Sequence, residues 1–465
     1  MCALPQVNLN ADLVRRYDRS GPRYTSYPPA TAFHQGFGER EYRAMADESN
    51  RQQPLAPLSL YFHIPFCSTV CYYCACNKII TANRSRAHAY VRALEQELAL
   101  QGALFTDGRC VEQLHWGGGT PTFLSGEEMR RLMQATRRHF RLRDDDCGEY
   151  SIEVDPRTVD AQRVAELRAL GFNRISFGVQ DFDAGVQKAV NRIQSPEQTL
   201  AVMGAARERG FRSIAIDLIY GLPFQSTGSF STTLDRVIEA GPDRIAVFNY
   251  AHLPERFKIQ RQIDARTLPS PNEKLGILAL TIERLQDAGY VYIGMDHFAR
   301  PGDALAEALA DGTLQRNFQG FSSHADCDMV AMGITAIGRI GRCYAQNVRD
   351  LADYYARLEA GLVPVERGVV LDADDEVRRR VISDLICHAY VDKTELGDAF
   401  ALDFDRYFAA EREALAPMQA DGLLVDGEQG IRVRAPGRLL IRNVCMAFDR
   451  YLRRDSRPQR YSRAI

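Results

Sequence analysis

Four cysteines lie within ten residues of this chain: Cys67, Cys71, Cys74 and Cys76. The first three follow the spacing C-x3-C-x2-C, and an aromatic residue, Tyr73, precedes the third. Three thiolates this close together can hold three irons of a four-iron cluster, which leaves the fourth iron open to a small molecule. A structural zinc site wants four ligands, usually as two separated pairs, and no second pair follows here. The spacing therefore favours an iron–sulfur cluster.

The elements that must position this loop can be predicted from the surrounding pattern. Residues 58–250 alternate short apolar runs with amphipathic helical stretches, which is typical of parallel βαβ units. The cysteine loop follows the first run, and polar residues end or follow the later ones, where barrel enzymes place their chemistry. We therefore expect an α/β fold with a partial (β/α)6 TIM-like barrel. Its predicted strands are 58–64, 111–117, 150–155, 174–179, 213–219 and 244–250.

The flanking regions do not follow the barrel pattern. Residues 1–50 fit no strand–helix unit and are predicted to be an N-terminal extension that covers the active site. Residues 51–365 are predicted to form the barrel with a following segment. Over residues 366–465 a helix, a hairpin with its turn near 426–430 and a second helix predict a small helical, winged-helix-like domain.

Bulk composition excludes several classes of function. With a net charge of −2, the chain has no global field to recruit nucleic acid or a membrane surface, so neither partner is expected. No apolar stretch of about 18 residues and no secretory signal are apparent. Eleven cysteines with a clustered triplet argue for metal rather than disulfides, and so for a reducing cytoplasm.

The cysteine triplet with its aromatic resembles the signature of radical S-adenosylmethionine enzymes. The segment YFHIPFC (61–67) is similar to the coproporphyrinogen-oxidase branch of that superfamily, and the resemblance covers essentially the whole chain. The other segments that carry it are HWGGGTPT (115–122), IEVDPR (152–157), GVQDF (178–182), IDLIYGLP (216–223), FNYAHLP (248–254), GMDHFARP (294–301) and RLLIRNVCMAFDRYL (438–452).

The resemblance implies an oxidoreductase that decarboxylates two propionate arms of coproporphyrinogen III to vinyl groups without oxygen. The product would be protoporphyrinogen IX, on the path to heme, and the reaction would use a 5′-deoxyadenosyl radical. The implied cofactors are a [4Fe-4S] cluster on Cys67, Cys71 and Cys74 and two molecules of S-adenosyl-L-methionine. An electron donor such as flavodoxin or ferredoxin is also implied. Cys76 would be catalytic without binding iron; a fourth ligand or a plain buried thiol is the alternative.

The same resemblance assigns residues to the two cosubstrate molecules. Taken alone, a glycine run offers backbone amides to a carboxylate, acids at strand ends can bind an ammonium or ribose, and arginine can fork onto a carboxylate. A tight turn or a solvated loop acid is the alternative for each. The cluster-bound molecule would contact Tyr61, Gly118, Glu153 and Ile337. The second would contact Tyr73, Gly119, Thr120, Gln180, Arg192, Asp217 and Ala251.

Two further questions stay open on the sequence. A substrate with four carboxylates needs cationic partners, and the sequence does not rank the candidates. A heme chaperone also shares the cysteine motif, but Cys76 and the segment RYTSYP (23–28) favour the enzyme. A winged-helix regulator with an iron–sulfur sensor would leave the barrel motifs unexplained. The candidate arginines are Arg23, Arg300 and Arg316, with the C-terminal Arg450, Arg453, Arg454, Arg457, Arg460 and Arg463.

Overall fold

The structure is a computed structural model that describes residues 7–324, 327–454 and 461. The described chain forms two compact units. One, the barrel unit, comprises residues 33–269 and 326–370; the other, the C-terminal unit, comprises the described parts of 1–32, 270–325 and 371–465. The domain boundaries expected after residues 50 and 365 stay predictions. Arg457, Arg460 and Arg463 lie outside the described residues.

The barrel unit is built on parallel strands, as the sequence pattern predicts. Strands β1 to β6 run parallel, each paired with the next along the chain. On the other side of β1, strand β7 is also parallel, and β8, β9 and β10 follow as an antiparallel meander. These strands are β1 (Leu58–Ile64), β2 (Cys110–Gly118), β3 (Glu149–Val154), β4 (Arg174–Gln180), β5 (Ser213–Tyr220), β6 (Arg244–Asn249), β7 (Asp328–Met332), β8 (Ile337–Ile340), β9 (Cys343–Asn347) and β10 (Val365–Val370).

Helices connect these strands, and local sequence fixes their ends. Ser125 begins one helix with a capping box, its hydroxyl accepting from the Glu128 N–H while Glu128 accepts from the Ser125 N–H. Gly241 ends another in the left-handed conformation that glycine favours. The longer helices of this unit are Glu39–Gln52, Ser85–Gly102, Gly126–His139, Ala161–Ala169, Ala184–Ala189, Pro196–Glu208, Thr227–Ala240 and Leu351–Glu359.

Burial alternates along the parallel strands and separates two faces of the sheet. In β3, Tyr150, Ile152 and Val154 are buried, while Ser151 and Glu153 remain partly accessible. The same period of two continues in β4 and in most of β5. Because successive side chains of a strand point to opposite faces, one face is apolar core and the other is polar and reached by solvent. The polar face can hold a ligand.

The C-terminal unit combines helices with small sheets around one core. That core joins Tyr24 and Tyr27 of the N-terminal segment to Ile293, Leu385 and Phe448. The hairpin predicted near 426–430 is present, and a third strand, Tyr390–Asp392, pairs with it. The remaining elements are Ala11–Tyr17, Pro271–Asp287, Val291–Gly294, His297–Ala299, Ala304–Ala310, Gln315–Asn317, Gly320–Ser322, Ala373–His388, Lys393–Phe400, Phe404–Tyr407, Ala409–Ala420, Leu424–Asp426, Gly430–Val433, Ala435–Arg438, Ile441–Ala447 and Arg450–Arg454.

Two features of the described residues bear on the function classes weighed above. Among them, no helix is both long and apolar enough to cross a membrane. Arg450 forms ion pairs with Asp372, Asp374 and Asp375, and Arg453 pairs with Glu411. These two arginines therefore have carboxylate partners inside the C-terminal unit.

Candidate active site

The cysteine loop leaves the carboxyl end of β1 and is closed at its base. Phe66 and Cys67 pair in parallel with Ile79 and Ile80. The Thr81 N–H donates to the Cys67 carbonyl at 3.0 Å, which extends this strand pairing, the neck of the loop. Protein contacts therefore hold the two ends of the loop together.

A second set of bonds ties the middle of the loop to the segment after β4. The Tyr72 N–H donates to the Val190 carbonyl at 3.0 Å, and the Asn191 side-chain amide donates to the Val70 carbonyl at 2.8 Å. Asn191 has a positive φ of 54°, a conformation that asparagine tolerates better than most residues. The loop that carries the thiols is thus fixed at its neck and at its middle.

The three thiols of the triplet differ in burial and in their neighbours. Cys71 is buried, Cys67 and Cys74 are partly accessible and Cys76 is exposed. Burial raises the pKa of Cys67 to about 11, partly offset by the Thr120 hydroxyl, which donates to its Sγ at 3.5 Å. A hydrogen bond between the Cys74 and Cys76 thiols lowers the pKa of Cys74 and raises that of Cys76. The open side of the loop is therefore at Cys74 and Cys76.

The kind and number of donors on this loop indicate which metal group it could take. Within the described residues, no group of three His, Cys, Asp or Glu side chains could hold one metal ion. Thiolates around one tetrahedral zinc would lie only about 4 Å apart, given bonds of about 2.3 Å. A four-iron cluster spans a larger gap between its thiolates. The donor set, three cysteines on one pinned loop, is the set that such a cluster takes.

Cations surround the thiol side of this loop. The Arg192 Nη1 lies 3.5 Å and the Arg157 Nη2 lies 3.9 Å from the Cys71 Sγ. The Lys78 ammonium donates to the Cys74 carbonyl at 2.9 Å. Because three thiolates would bring three negative charges, these cations would offset part of that charge when a metal group is bound.

Asp155 holds the two arginines in place. It accepts from the Arg157 Nη2 at 2.6 Å and from the Arg192 Nη1 at 3.2 Å. Burial alone would raise the Asp155 pKa, but the hydrogen bonds from Arg157 and the charge of Arg192 hold it below its usual value. The second Arg192 nitrogen donates to the Gly178 carbonyl at 2.5 Å, whereas its buried Nε has no partner among the described residues. Arg192 is only 7% exposed, so the Nε donor needs an acceptor.

A second cluster of predicted residues lies on the polar face of β1, β2 and β3. The Tyr61 and His115 rings stack at 5.8 Å with an angle of 12°. Glu153 accepts from the Gly118 N–H at 3.1 Å and lies 3.3 Å from the His115 Nε2. Burial would raise the Glu153 pKa, but these bonds from His115 and Gly118 lower it. Tyr61, Gly118 and Glu153 are thus brought together as the sequence predicts.

The glycine run does not present its amides as the sequence suggests. The Gly118 N–H donates to Glu153, the Gly119 N–H to the Ile64 carbonyl at 2.8 Å and the Thr120 N–H to the Phe66 carbonyl at 2.8 Å. The expectation that these amides donate to a ligand carboxylate is therefore wrong for this structure. Glycine is needed here for packing, because a Cβ on Gly119 would lie 2.7 Å from the Pro65 backbone.

Asp217 and Gln180 lie on the same polar face, further along the sheet. Burial and the charge of Glu153 raise the pKa of Asp217 to about 7, and the Ser176 hydroxyl donates to its carboxyl group at 3.2 Å. Gln180 sits at a register shift at the end of β4, with a positive φ of 68°. A Cβ on Gly178 would lie 2.8 Å from the Gln180 Nε2 and 3.0 Å from the Arg192 Nη2. Gly178 therefore leaves the space in which these two side chains meet.

Gln260 joins two further predicted residues. Its amide nitrogen donates to the Tyr73 carbonyl at 3.1 Å and to the Ala251 carbonyl at 3.3 Å, and its oxygen accepts from the Leu253 N–H. Gln260 is 1% exposed. Ile337 begins β8, which lies two strands from β1, and it pairs with Gln346 of β9.

Sequence reasoning missed His115, Asp155, Arg157 and Gln260. The period of two in β3 carries a signal for one of them, because it puts Asp155 in phase with Ser151 and Glu153. Gln260 lies in the short 3-10 segment Lys258–Gln262 and offers no such periodicity. His63, near the end of β1, is 7% exposed, and its Nε2 lies 3.0 Å from the Asn77 carbonyl oxygen.

An α/β barrel that carries a C-x3-C-x2-C loop at the carboxyl edge of its parallel strands defines a radical SAM protein. The family model described as the Radical SAM superfamily matches residues 61–237, and the HemN C-terminal domain matches residues 371–440. Such proteins use a [4Fe-4S] cluster and S-adenosylmethionine.

Comparison with whole proteins shows which family of radical SAM proteins this chain is similar to. A Pseudomonas aeruginosa protein named oxygen-independent coproporphyrinogen III oxidase is 52% identical, over 99% of this chain and 100% of its own length. Relatives of the same name from Escherichia coli and Synechocystis are 50% and 43% identical, over 100% and 99% of this chain and 100% and 99% of their own lengths. The solved Escherichia coli structure, titled "Coproporphyrinogen III oxidase (HemN) from Escherichia coli is a Radical SAM enzyme", superposes with a TM-score of 0.91 at 48% identity, covering 96% of this chain and 100% of that one. This chain belongs to the oxygen-independent coproporphyrinogen III oxidase family.

Proposed function

We propose that this chain converts coproporphyrinogen III to protoporphyrinogen IX by oxidative decarboxylation of two propionate arms, without oxygen. The observation that carries the proposal is the pinned three-cysteine loop in a chain that is 50% identical to an Escherichia coli coproporphyrinogen III oxidase over the full length of both. A heme-handling protein with the same motif is the weaker alternative, because the relatives described above bear the enzyme's name.

The residues at the loop fit the cofactor that this chemistry needs. Cys67, Cys71 and Cys74 would hold the cluster, with Arg157 and Arg192 offsetting their charge. When bound, the cluster and S-adenosylmethionine supply a 5′-deoxyadenosyl radical that removes a hydrogen from the substrate. The chain's own work is to orient the reactants on the polar face and to keep water from the reacting carbon.

The stacked and hydrogen-bonded group on β1 to β3 would bind the first S-adenosylmethionine. Glu153 is ionised and half-accessible, with 45% of its side chain exposed, so it can accept from the ligand's ammonium. Tyr61 and Gly118 flank it directly, and we include Ile337 from the family resemblance.

The residues further along the sheet would bind a second S-adenosylmethionine. The unpartnered Arg192 Nε is the free donor of a guanidinium whose other nitrogens are already bonded, and a ligand carboxylate would satisfy it. Tyr73 and Ala251 are held side by side by Gln260. The remaining contacts in this proposal are Gly119, Thr120, Gln180 and Asp217.

Cys76 would act in turnover rather than in iron binding. The residue is exposed, its thiol is hydrogen-bonded to the Cys74 thiol, and it lies at the open side of the loop. A protonated thiol at that position can transfer a hydrogen or proton to a reacting group.

We further propose flavodoxin or ferredoxin as the electron donor and the cytoplasm as the compartment. None of the ten cysteines in the described residues forms a disulfide, which suits a reducing environment.

Anaerobic turnover tests the proposal. The reduced holoenzyme, supplied with S-adenosylmethionine and coproporphyrinogen III, should form protoporphyrinogen IX and release carbon dioxide. Cys76→Ser should keep the cluster's iron and lose that turnover. A wild-type holoenzyme that binds the tetrapyrrole but forms no product would favour the heme-handling alternative instead.

A further inference from the structure

A group of arginines surrounds one hairpin tip in the C-terminal unit, outside the site described above. The hairpin joins Val291–Gly294 to His297–Ala299, and its tip holds Asp296. The Arg23 Nη1 pairs with the Asp296 carboxylate at 2.9 Å. The Arg442 guanidinium donates to the backbone carbonyls of Gly21 and Pro22, directly before Arg23. Two cations are thus fixed beside a single carboxylate.

Two more arginines contact aromatic rings beside the same hairpin. The Arg438 Cζ lies 5.8 Å from the centre of the Tyr292 ring, and the Tyr292 hydroxyl donates to the Met295 carbonyl at 2.8 Å. The Arg316 Cζ lies 4.7 Å from the centre of the Phe321 ring. Phe321 in turn packs against the hairpin, 2.9 Å from the position of a Cβ on Gly294.

Within the part of the chain that the structure describes, no carboxylate forms an ion pair with Arg316 or Arg438. The charge of Asp296 acts on Arg23, Arg316 and Arg442, but Arg23 already engages its carboxylate, and Arg438 lies over the neighbouring Tyr292 ring. The Nε and Nη1 atoms of Arg316 are buried and have no hydrogen-bond acceptor among the described residues. Burying an arginine without an acceptor is costly, and the guanidinium does not escape by losing its proton at neutral pH.

Burial affects the same arginines in a consistent direction. It lowers the pKa of Arg316 to about 10 and that of Arg442 to about 10, and it also lowers the pKa of Arg438. All three nevertheless remain charged near pH 7. A ligand that brings carboxylates would supply the missing acceptors, and arginine binds carboxylates with matched, paired hydrogen bonds.

We propose that this arginine group is a binding site for the carboxylate arms of an organic polyanion, with Arg316 and Arg438 as its ligand-facing residues. The proposal rests on the proposed function for its ligand, the tetrapyrrole with four propionate arms. Of the arginines that the sequence left unranked, Arg316 and Arg23 therefore belong to the site. Arg300 is exposed and contacts the Tyr290 ring, so it is left out.

Equilibrium binding to the anaerobic holoenzyme tests the site. The probe is coproporphyrin III, the stable oxidised tetracarboxylate, compared with its uncharged tetramethyl ester. Arg316→Gln and Arg438→Gln should each weaken binding of the acid about tenfold to a hundredfold and leave ester binding unchanged. Arg432→Gln is the matched control, since Arg432 also lies over a tyrosine ring, 4.4 Å from that of Tyr390, but is exposed. It should bind the acid as the wild type does.

Several outcomes would overturn the site. Unchanged affinity for the acid in both variants would do so, as would an equal loss for acid and ester. If the variants fail to fold, the wild type still decides, because equal affinity for acid and ester would show that the carboxylates are not recognised. Displacement of coproporphyrin III by an equal concentration of inorganic phosphate would assign the group to small anions instead.

Turnover measured in parallel separates this site from the proposed function. A wild type that binds the acid through Arg316 and Arg438 but forms no protoporphyrinogen would contradict the function and keep the site. A wild type that turns over, with both variants binding as tightly as it does, would contradict only the site.

Discussion

Two groups of arginines in this molecule differ in what balances their charge. Beside the cysteine loop, Arg157 and Arg192 share the carboxylate of Asp155 and approach the Cys71 thiol. Around the 294–297 hairpin, Asp296 engages Arg23 while Arg316 and Arg438 lie against aromatic rings. A charge removed from water needs a partner of opposite charge. The protein supplies that partner to the first group through Asp155, whereas in our proposal a bound ligand supplies it to the second.

The largest effect is expected when one of the three cysteines, which are the anionic partners of the first group, is removed. Cys67→Ala, Cys71→Ala or Cys74→Ala should each reduce the cluster's iron from about four per chain to almost none, because three thiolates hold it. Iron and sulfide analysis of anaerobically purified protein measures this. Cys343→Ala removes another buried free cysteine and should keep all the iron. Full iron in any variant of the triplet would refute the ligand assignment.

Removing the shared carboxylate should make the first group resemble the second. Asp155→Asn leaves Arg157 and Arg192 without their anion, and breaking a buried pair costs about 3–5 kcal/mol of unfolding free energy. Chemical denaturation without oxygen measures it. As a control, Asp145→Asn breaks the accessible pair with Arg143 and should change stability little. If the free energy of unfolding falls no further than in the control, the cysteine thiolates alone balance the charge of the two arginines.

Arg192→Ala tests whether the first group also binds a ligand, the second S-adenosylmethionine. Loss of a charge-assisted contact costs about 1.5–3 kcal/mol, or roughly tenfold to a hundredfold in affinity. Equilibrium binding of S-adenosylmethionine should then fall from about two molecules per chain towards one, with the iron content unchanged. Loss of iron would instead show that Arg192 serves the Cys71 thiolate, and two tightly bound molecules would contradict the second site.

Asp217 is the opposite case, a buried carboxyl group that forms no ion pair among the described residues. Its pKa of about 7 lies above the ordinary 3.8, so the folded protein takes up a proton between those values. The free energy of unfolding should therefore fall as pH rises from about 4 to 7, and this contribution should vanish in Asp217→Asn. Denaturation at a series of pH values compares the two proteins. Parallel pH profiles would show that Asp217 titrates normally.

Local pattern was sufficient to predict the barrel. The expected strand 213–219 is observed as Ser213–Tyr220, and 58–64 as Leu58–Ile64, because apolar runs of strand length alternate with helical stretches. The thiol triplet was equally visible, since its members are neighbours in sequence. These features depend on residues close together along the chain.

The details of the site depend on partners far apart in sequence. The contact of Gln260 with the Tyr73 carbonyl spans 187 positions, and that of Arg192 with Asp155 spans 37. Nothing local reveals such pairs. The glycine run shows the same limit, because whether its amides are available depends on Ile64 and Glu153, which only the folded sheet brings near.

The neck formed by Phe66–Cys67 and Ile79–Ile80 has a consequence for the life of the cofactor. Closing a flexible loop costs conformational entropy, and here backbone bonds between the two ends have already done so. The base of the cysteine loop is therefore joined by the protein's own backbone and does not depend on iron for its closure. We accordingly expect a cluster lost to oxygen to be restored by anaerobic reconstitution with iron and sulfide, without a denaturation step.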